Sequence, residues 1–250
     1  MIRKVLLFFI GILINFNLIC QANIRGGEPI EEVTDNSNSS FIICVDPGHQ
    51  GKMDLKGEPV APGASNTKPR VSAGTAGVAT KKPEHVVNLE SAMILKELLL
   101  QNGYTVVMTR ESADVNISNL ERAEMANNSK ANMTIRIHCD SINDSGKNGA
   151  IILVPSKNSQ HTKDIYTESY KYADILKQTL IDSNIKVNGI FERTDITGFN
   201  WSKVPVVILE MGFMSNYNED KMLNNHEYQK KLMECVAKAI DTYRQENKES

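Results

Sequence analysis

The chain has 250 residues, of which 41% are hydrophobic and 23% charged, with a formal net charge of -2. That length and apolar share suit one globular domain with a real core and exclude a disordered chain. The near-neutral balance argues against a nucleic-acid partner, which draws a basic surface.

The N-terminus carries the pattern of an export signal. Arg3 and Lys4 precede a short apolar run from Val5 to Ile14, and Cys20-Gln21-Ala22 follows at a cleavage spacing. The run is shorter than the about 20 apolar residues of a membrane-spanning helix. Residues 1–22 are therefore expected to be a signal peptide and the mature protein to be secreted, with an uncleaved anchor as the alternative. Bulky Ile19 disfavours a lipid-bearing Cys20. Residues 23–40, rich in Asn, Ser, Glu and Asp, read as a polar linker. Loss of the signal leaves Cys44, Cys139 and Cys235, an odd set that builds no disulfide framework. No Cys-x-x-Cys pair is present to make a thiolate zinc site. Cys44 reads as a buried strand residue and Cys235 as helix core.

The catalytic domain is expected over residues 41–250. Phe41 to Val45 is a continuous apolar run, the mark of a strand buried on both faces, and it ends in Asp46-Pro47-Gly48. Residues 51–83, rich in Gly, Pro, Ser, Thr and Lys, read as one long loop, either a functional lid or a disordered insertion. A helix follows Pro83, with Val86, Leu89, Met93 and Leu100 on its apolar side and Gly103 at its end. Tyr104 to Met108 is the next strand. Ser118 with Glu121 three residues later is a capping-box signature. Met133 to Ile137 and Ala150 to Val154 read as strands. Ile165, Ser169, Tyr172, Leu176 and Leu180 mark one face of a long helix. Val204 to Leu209 is a further apolar strand, and Tyr228, Leu232, Cys235, Val236, Ala239 and Tyr243 define the closing helix. Strands alternating with helices, without an internal repeat, predict a single α/β domain with a mostly parallel, helix-flanked twisted sheet.

Open parallel sheets place their sites beyond the carboxyl ends of the strands. The first strand runs into His49, the third into His138-Cys139-Asp140, and the last into Glu210. Glu84 begins a helix that descends from the same edge. Two imidazoles and a carboxylate form a common shell for catalytic zinc and leave one position open. Such an ion makes water nucleophilic near neutral pH, and a separate carboxylate then carries the proton. The reading is zinc held by His49, Glu84 and His138, with Glu210 as general base. Each residue has a plainer explanation. Two of five His can reach strand ends by chance, and a Glu in a first helical turn can merely complement the dipole. Glu90 is an alternative ligand, two turns further along. His85, His161 and His226 lie beside helix starts and read as surface or capping residues.

These motifs resemble the zinc-dependent N-acetylmuramoyl-L-alanine amidases, from about Ile42 to the closing helix. The resemblance rests on Val45-Asp46-Pro47-Gly48-His49, on Glu84 ahead of Asn88-Leu89, on Ile135-Arg136-Ile137-His138, and on Val207 through Asn216 around Glu210. Thr109-Arg110 and Arg122 through Ala126-Asn127 agree with it. Pro62-Gly63, Gly74-Thr75-Ala76-Gly77 and Asn200-Trp201 match a subgroup of spore-forming Gram-positive bacteria. Cys139-Asp140 stands where the family commonly has Ala-Asn, and Asp140 is expected to tune the site or to hydrogen-bond a ligand His. The resemblance implies hydrolysis of the amide between N-acetylmuramic acid and L-alanine in peptidoglycan, by a monomer acting in the cell wall and tethered, if at all, through its N-terminus. The competing readings are a different zinc peptidase acting on stem peptides and a non-catalytic wall-binding module.

Overall fold

The computed structural model describes residues 41–248. The expected signal peptide and polar linker lie outside the described residues.

A six-stranded sheet organises the domain, in the order β4-β1-β5-β8-β6-β7. Strand β1 (Ile42–Pro47) lies between β4 (Thr105–Met108) and β5 (Met133–Asp140), parallel to both. β5 in turn runs parallel to β8 (Val206–Phe213). Beyond β8 the direction reverses, because β6 (Ala150–Pro155) is antiparallel to β8 and parallel to β7 (Val187–Arg193). The sheet is thus mostly parallel, as the alternation of elements predicts.

Helices α1 (Glu84–Gln101), α3 (Lys163–Asp182) and α6 (His226–Glu246) close the main core. On α3, Ile165, Ser169, Tyr172, Leu176 and Leu180 are all buried, the face that their spacing predicts. On α6, Leu232, Cys235, Val236, Ala239 and Tyr243 are buried in the same way. Alternate residues of β5 and β8 (Ile135, Ile137, Cys139, Leu209 and Met211) join them there. The other sheet face, with Arg136, His138, Ile208 and Glu210, therefore looks away from these helices. It is lined by α2 (Asn119–Asn128) and α4 (Thr197–Asn200). Helix α2 opens with the expected capping box between Ser118 and Glu121. A last short helix, α5 (Tyr217–Leu223), follows β8.

The structure corrects the sequence reading in four places. Residues 51–83 are not one loop, for they contain an antiparallel hairpin, β2 (Asp54–Pro59) with β3 (Thr67–Val71). Its strands carry Lys56, Glu58, Lys68 and Arg70 and give no apolar alternation. Polar contacts fix it instead, with Arg70 paired to Asp54 and Glu121 and Glu58 accepting from the Leu120 N–H. On α1 the buried face is Val87, Leu95 and Leu99 together with Glu84, Asn88 and Ser91, while Leu100 is exposed. The polar residues on that face hid its phase. β7 has no counterpart in the sequence reading, because Asn188 and Gly189 interrupt its apolar run. Finally, β5 continues through Asp140 and β8 through Phe213, so His138 and Glu210 lie within their strands and not at their ends.

Candidate metal centre

The turn after β1 presents His49 in a left-handed conformation, φ 58°. A non-glycine residue resists that conformation by about 1–2 kcal/mol, so the surroundings must hold it. Arg122 Nη2 donates to the His49 carbonyl at 3.0 Å, and Arg110 donates to the carbonyls of Pro47 and Gly48, each at 2.9 Å. The Gly48 N–H donates to the Ile137 carbonyl at 2.9 Å. A β-carbon on Gly48 would stand 2.1 Å from His138 Cε1, so only glycine lets the His138 ring lie against this turn.

The arginines are themselves organised by a carboxylate inside the sheet. Asp46 is 1% exposed and pairs at 2.7 Å with both Arg122 Nη1 and Arg136 Nε, and it also accepts from the Thr109 hydroxyl. Burial opposes its ionisation, but Arg122 and Arg136 outweigh that and hold its carboxyl well below the usual carboxylate range.

Glu84 occupies the first turn of α1, which has no side-chain cap. Its own N–H donates instead to the Thr75 carbonyl at 2.9 Å. Oε2 accepts from the Thr75 N–H at 3.0 Å, and Oε1 from Asn88 Nδ2 at 3.0 Å and the Cys139 N–H at 3.1 Å. Gly74, at φ 77°, brings that loop within 2.7 Å of Oε2 measured from its would-be β-carbon. The loop is fastened from its far side by Asp220 of α5. This buried carboxylate accepts from the N–H groups of Ala79 and Thr80 at 2.7 and 2.8 Å.

His49, Glu84 and His138 converge. His49 Nε2 lies 3.3 Å and His138 Nδ1 3.2 Å from Glu84 Oε1, and one ligand atom from each residue falls within 4.8 Å of the others. The imidazoles cross edge to face at 5.0 Å. Burial acts against the Glu84 charge, yet the hydrogen bonds from His138 and His49 keep its carboxyl well below the ordinary range. Burial also pushes His138 down to about 4, so its ring is neutral and one of its nitrogens offers a lone pair. Its Nε2 is buried and makes no hydrogen bond. Two imidazoles, one of them with an unpartnered ring nitrogen, and a carboxylate suit a divalent ion of the zinc type.

Glu210 stands directly opposite His138 in the β5–β8 register. Its Oε2 is buried without a partner. Burial first, then the charges of Glu84 and Asp140, push its carboxyl well above the usual range, with Arg136 and Arg193 acting against them. Asp140 Oδ1 accepts from the Ser141 N–H at 2.7 Å, so it influences the site through charge and not through a hydrogen bond to a ligand His. Glu90 is tied to Lys82 at 2.6 Å, outside the cluster.

Asp46 and Arg136 stand in the sequence motifs but receive no role from them. A charge that interrupts an apolar strand must be paired, which marks each residue, although the sequence does not say with what.

The chain belongs to the N-acetylmuramoyl-L-alanine amidase family, whose sequence model matches residues 43–242. It is 26% identical to N-acetylmuramoyl-L-alanine amidase Rv3717 of Mycobacterium tuberculosis, over 81% of this chain and 86% of that protein. It is 27% identical to the germination-specific N-acetylmuramoyl-L-alanine amidase of Bacillus subtilis, over 82% and 80%. The chain spans 57% of the length of the probable cell wall amidase LytH of Staphylococcus saprophyticus. The crystal structure of the amidase Ami1 from Mycobacterium smegmatis superposes with a TM-score of 0.73 at 25% identity, over 82% of this chain and 98% of that one.

Proposed function

We propose that this protein hydrolyses the amide bond between N-acetylmuramic acid and L-alanine in peptidoglycan, with His49, Glu84 and His138 holding a zinc ion and Glu210 serving as general base. The observation that carries the reading is the meeting of three distant donors near Glu210, a half-buried carboxylate whose Oε2 is buried without a partner. Bound there, zinc supplies Lewis-acid polarisation of the carbonyl and makes water nucleophilic near neutral pH.

The protein's own groups do the rest. Asn88, Thr75 and the Cys139 N–H fix the Glu84 carboxylate, so its orientation is set before any ion arrives. The Arg110 and Arg122 contacts do the same for His49. Glu210 takes a proton from the attacking water at its carboxylate and returns one to the leaving nitrogen of L-alanine. Its raised proton affinity suits both tasks, and the charge of a bound ion draws that affinity back toward neutrality.

In this reading residues 1–22 are a signal peptide and the domain acts outside the membrane at the cell wall. Among the described residues no helix is long and apolar enough to cross a membrane.

Glu210→Gln tests the assignment. Zinc content should match wild type, while appearance of new N-terminal L-alanine from purified peptidoglycan should fall about 10²–10⁴-fold. A variant that digests the wall at the wild-type rate removes Glu210 from the base role.

A further inference from the structure

The sheet face that carries His138 opens into a cleft of about 290 Å³. His138 forms part of one wall, so the cleft is continuous with the metal centre. Lys68 enters it from β3, Arg136 from β5, and Arg193 and Asp195 from the end of β7 and the turn that follows. Three cations therefore face one carboxylate. The partner of Arg136 does not redress the balance, because Asp46 is shared with Arg122.

Arg193 is the exposed guanidinium in this cleft with donors to spare, whereas Arg136 is buried against Asp46. It meets Asp195 through two parallel bonds, Nε to Oδ1 at 2.8 Å and Nη2 to Oδ2 at 2.9 Å. Lys68 Nζ reaches the same Oδ2 at 2.9 Å and also donates to the Asp195 carbonyl. Asp195 thus braces both cations, linking the hairpin to the far side of the cleft. A guanidinium has five N–H donors in a fixed fork. Two are used on Asp195, and the other three meet no protein acceptor among the described residues. The Arg193 side chain is 44% exposed, within reach of a ligand. Arg193 and the ligand His138 line the same cleft, so a group held by the guanidinium shares that cleft with the metal centre.

We infer that Arg193, braced by Asp195 and backed by Lys68, is a specificity-determining residue that binds a carboxylate of the stem peptide. The inference rests on the amidase reading and deepens it. The two halves of the substrate differ in chemistry. The sugar side offers hydroxyls and acetamido groups, whereas the peptide side carries free carboxylates. A planar fork with parallel donors recognises a carboxylate in two-point fashion, which a lysine ammonium does not. His138 and Arg193 line one cleft, and of the two substrate halves the peptide half is the one that carries the free acid such a fork binds.

Two sources of the carboxylate are distinguishable, the second stem residue and the third. Calorimetric titration of the zinc-loaded protein with stem tripeptides tests both. One peptide carries both free acids, a second has a carboxamide at residue two, and a third has a carboxamide at residue three. Wild type should bind the free acid about tenfold more tightly than one of the two amides, the scale of a charge-assisted hydrogen bond discounted for exposure. Arg193→Gln should bring that ratio to about one, and Arg193→Lys should leave it between the two. Zinc content equal to wild type shows that the variants are folded. Equal binding of acid and both amides by wild type, or a preference that survives Arg193→Gln, overturns the proposal. Hydrolysis of the matching muramyl peptide, followed in parallel, reads on the reaction itself. Carboxylate preference without hydrolysis sinks the amidase reading and leaves the binding site standing.

Discussion

Replacing Asp46 by Asn probes the foundation of the site. In the wild type one carboxylate, 1% exposed, neutralises two guanidinium groups that are 2% and 5% exposed. Asparagine keeps the shape and one carbonyl acceptor, but it turns an NH₂ toward the second arginine and leaves two buried positive charges unopposed. Removing one partner of a buried ion pair costs about 3–5 kcal/mol. For a domain of this size that converts to a fall in Tm of about 6–20 °C. Because Arg122 also grips the His49 carbonyl, zinc affinity should fall with stability, by about 10–100-fold. Thermal unfolding by circular dichroism and competition with a chromophoric chelator measure the two effects. The acid side gives a further check. Asp46 is held below its unfolded value, so its stabilisation is complete above about pH 4 and is lost as pH falls through the folded pKa. The gap between wild type and variant is therefore widest at neutral pH and closes only in strong acid. A Tm within about 3 °C of wild type at pH 7, well short of the drop expected from losing a buried pair, would refute the reasoning.

Gly48→Ala should displace the His138 ring, since the new methyl would fall 2.1 Å from Cε1. Zinc content after dialysis should drop and hydrolysis should decline at least about tenfold, and a variant that retains full zinc would show that the turn yields. Asp220→Asn loosens the loop that carries Thr75, because two N–H groups then compete for a weaker acceptor. It should lower stability by about 1–3 kcal/mol, read by urea denaturation, and raise the dissociation constant for zinc, with an unchanged constant counting against any link from Asp220 to Glu84. Chelation with EDTA should abolish hydrolysis and lower Tm, as expected when a ligand binds only the folded state. Far-UV ellipticity should stay the same, because the apolar core closes without the ion.

The sequence showed most clearly those elements whose burial is apolar and periodic. β1, β5, α3 and α6 bury aliphatic and aromatic side chains at regular spacing, and their positions followed from that spacing. Where a face is buried by polar atoms the pattern failed. α1 turns Glu84, Asn88 and Ser91 inward, so its aliphatic residues suggested a face rotated by about one residue. The β2–β3 hairpin is secured by ion pairs and by the Leu120 N–H donating to Glu58, which hydropathy does not register. β7 is an edge strand split by a glycine at φ 146°, and it brought Arg193 to the cleft with no warning from local sequence. The grouping of His49, Glu84 and His138 could be anticipated because the carboxyl-terminal parts of parallel strands share one rim, although His138 proves to lie inside β5. The Asp46 network could not, because it depends on which side chains of β1, β5 and α2 face each other across the sheet.

The alternation of β5 has a bearing on which ions the site accepts. Cys139 follows His138 directly and lends its N–H to Glu84 Oε1, yet its side chain belongs to the opposite, apolar face. Burial, followed by the nearby charge of Glu84, holds that thiol well above its ordinary proton affinity. Among the described residues no cysteine sulfur is offered to the candidate centre, though a thiol lies a single residue along the strand. Soft, thiophilic ions such as copper(I) consequently find only nitrogen and oxygen donors, while borderline ions meet the mixture they bind well. A one-residue slip in strand register would turn Cys139 toward the candidate centre and His138 away from it, so the pleat decides which donor that centre presents.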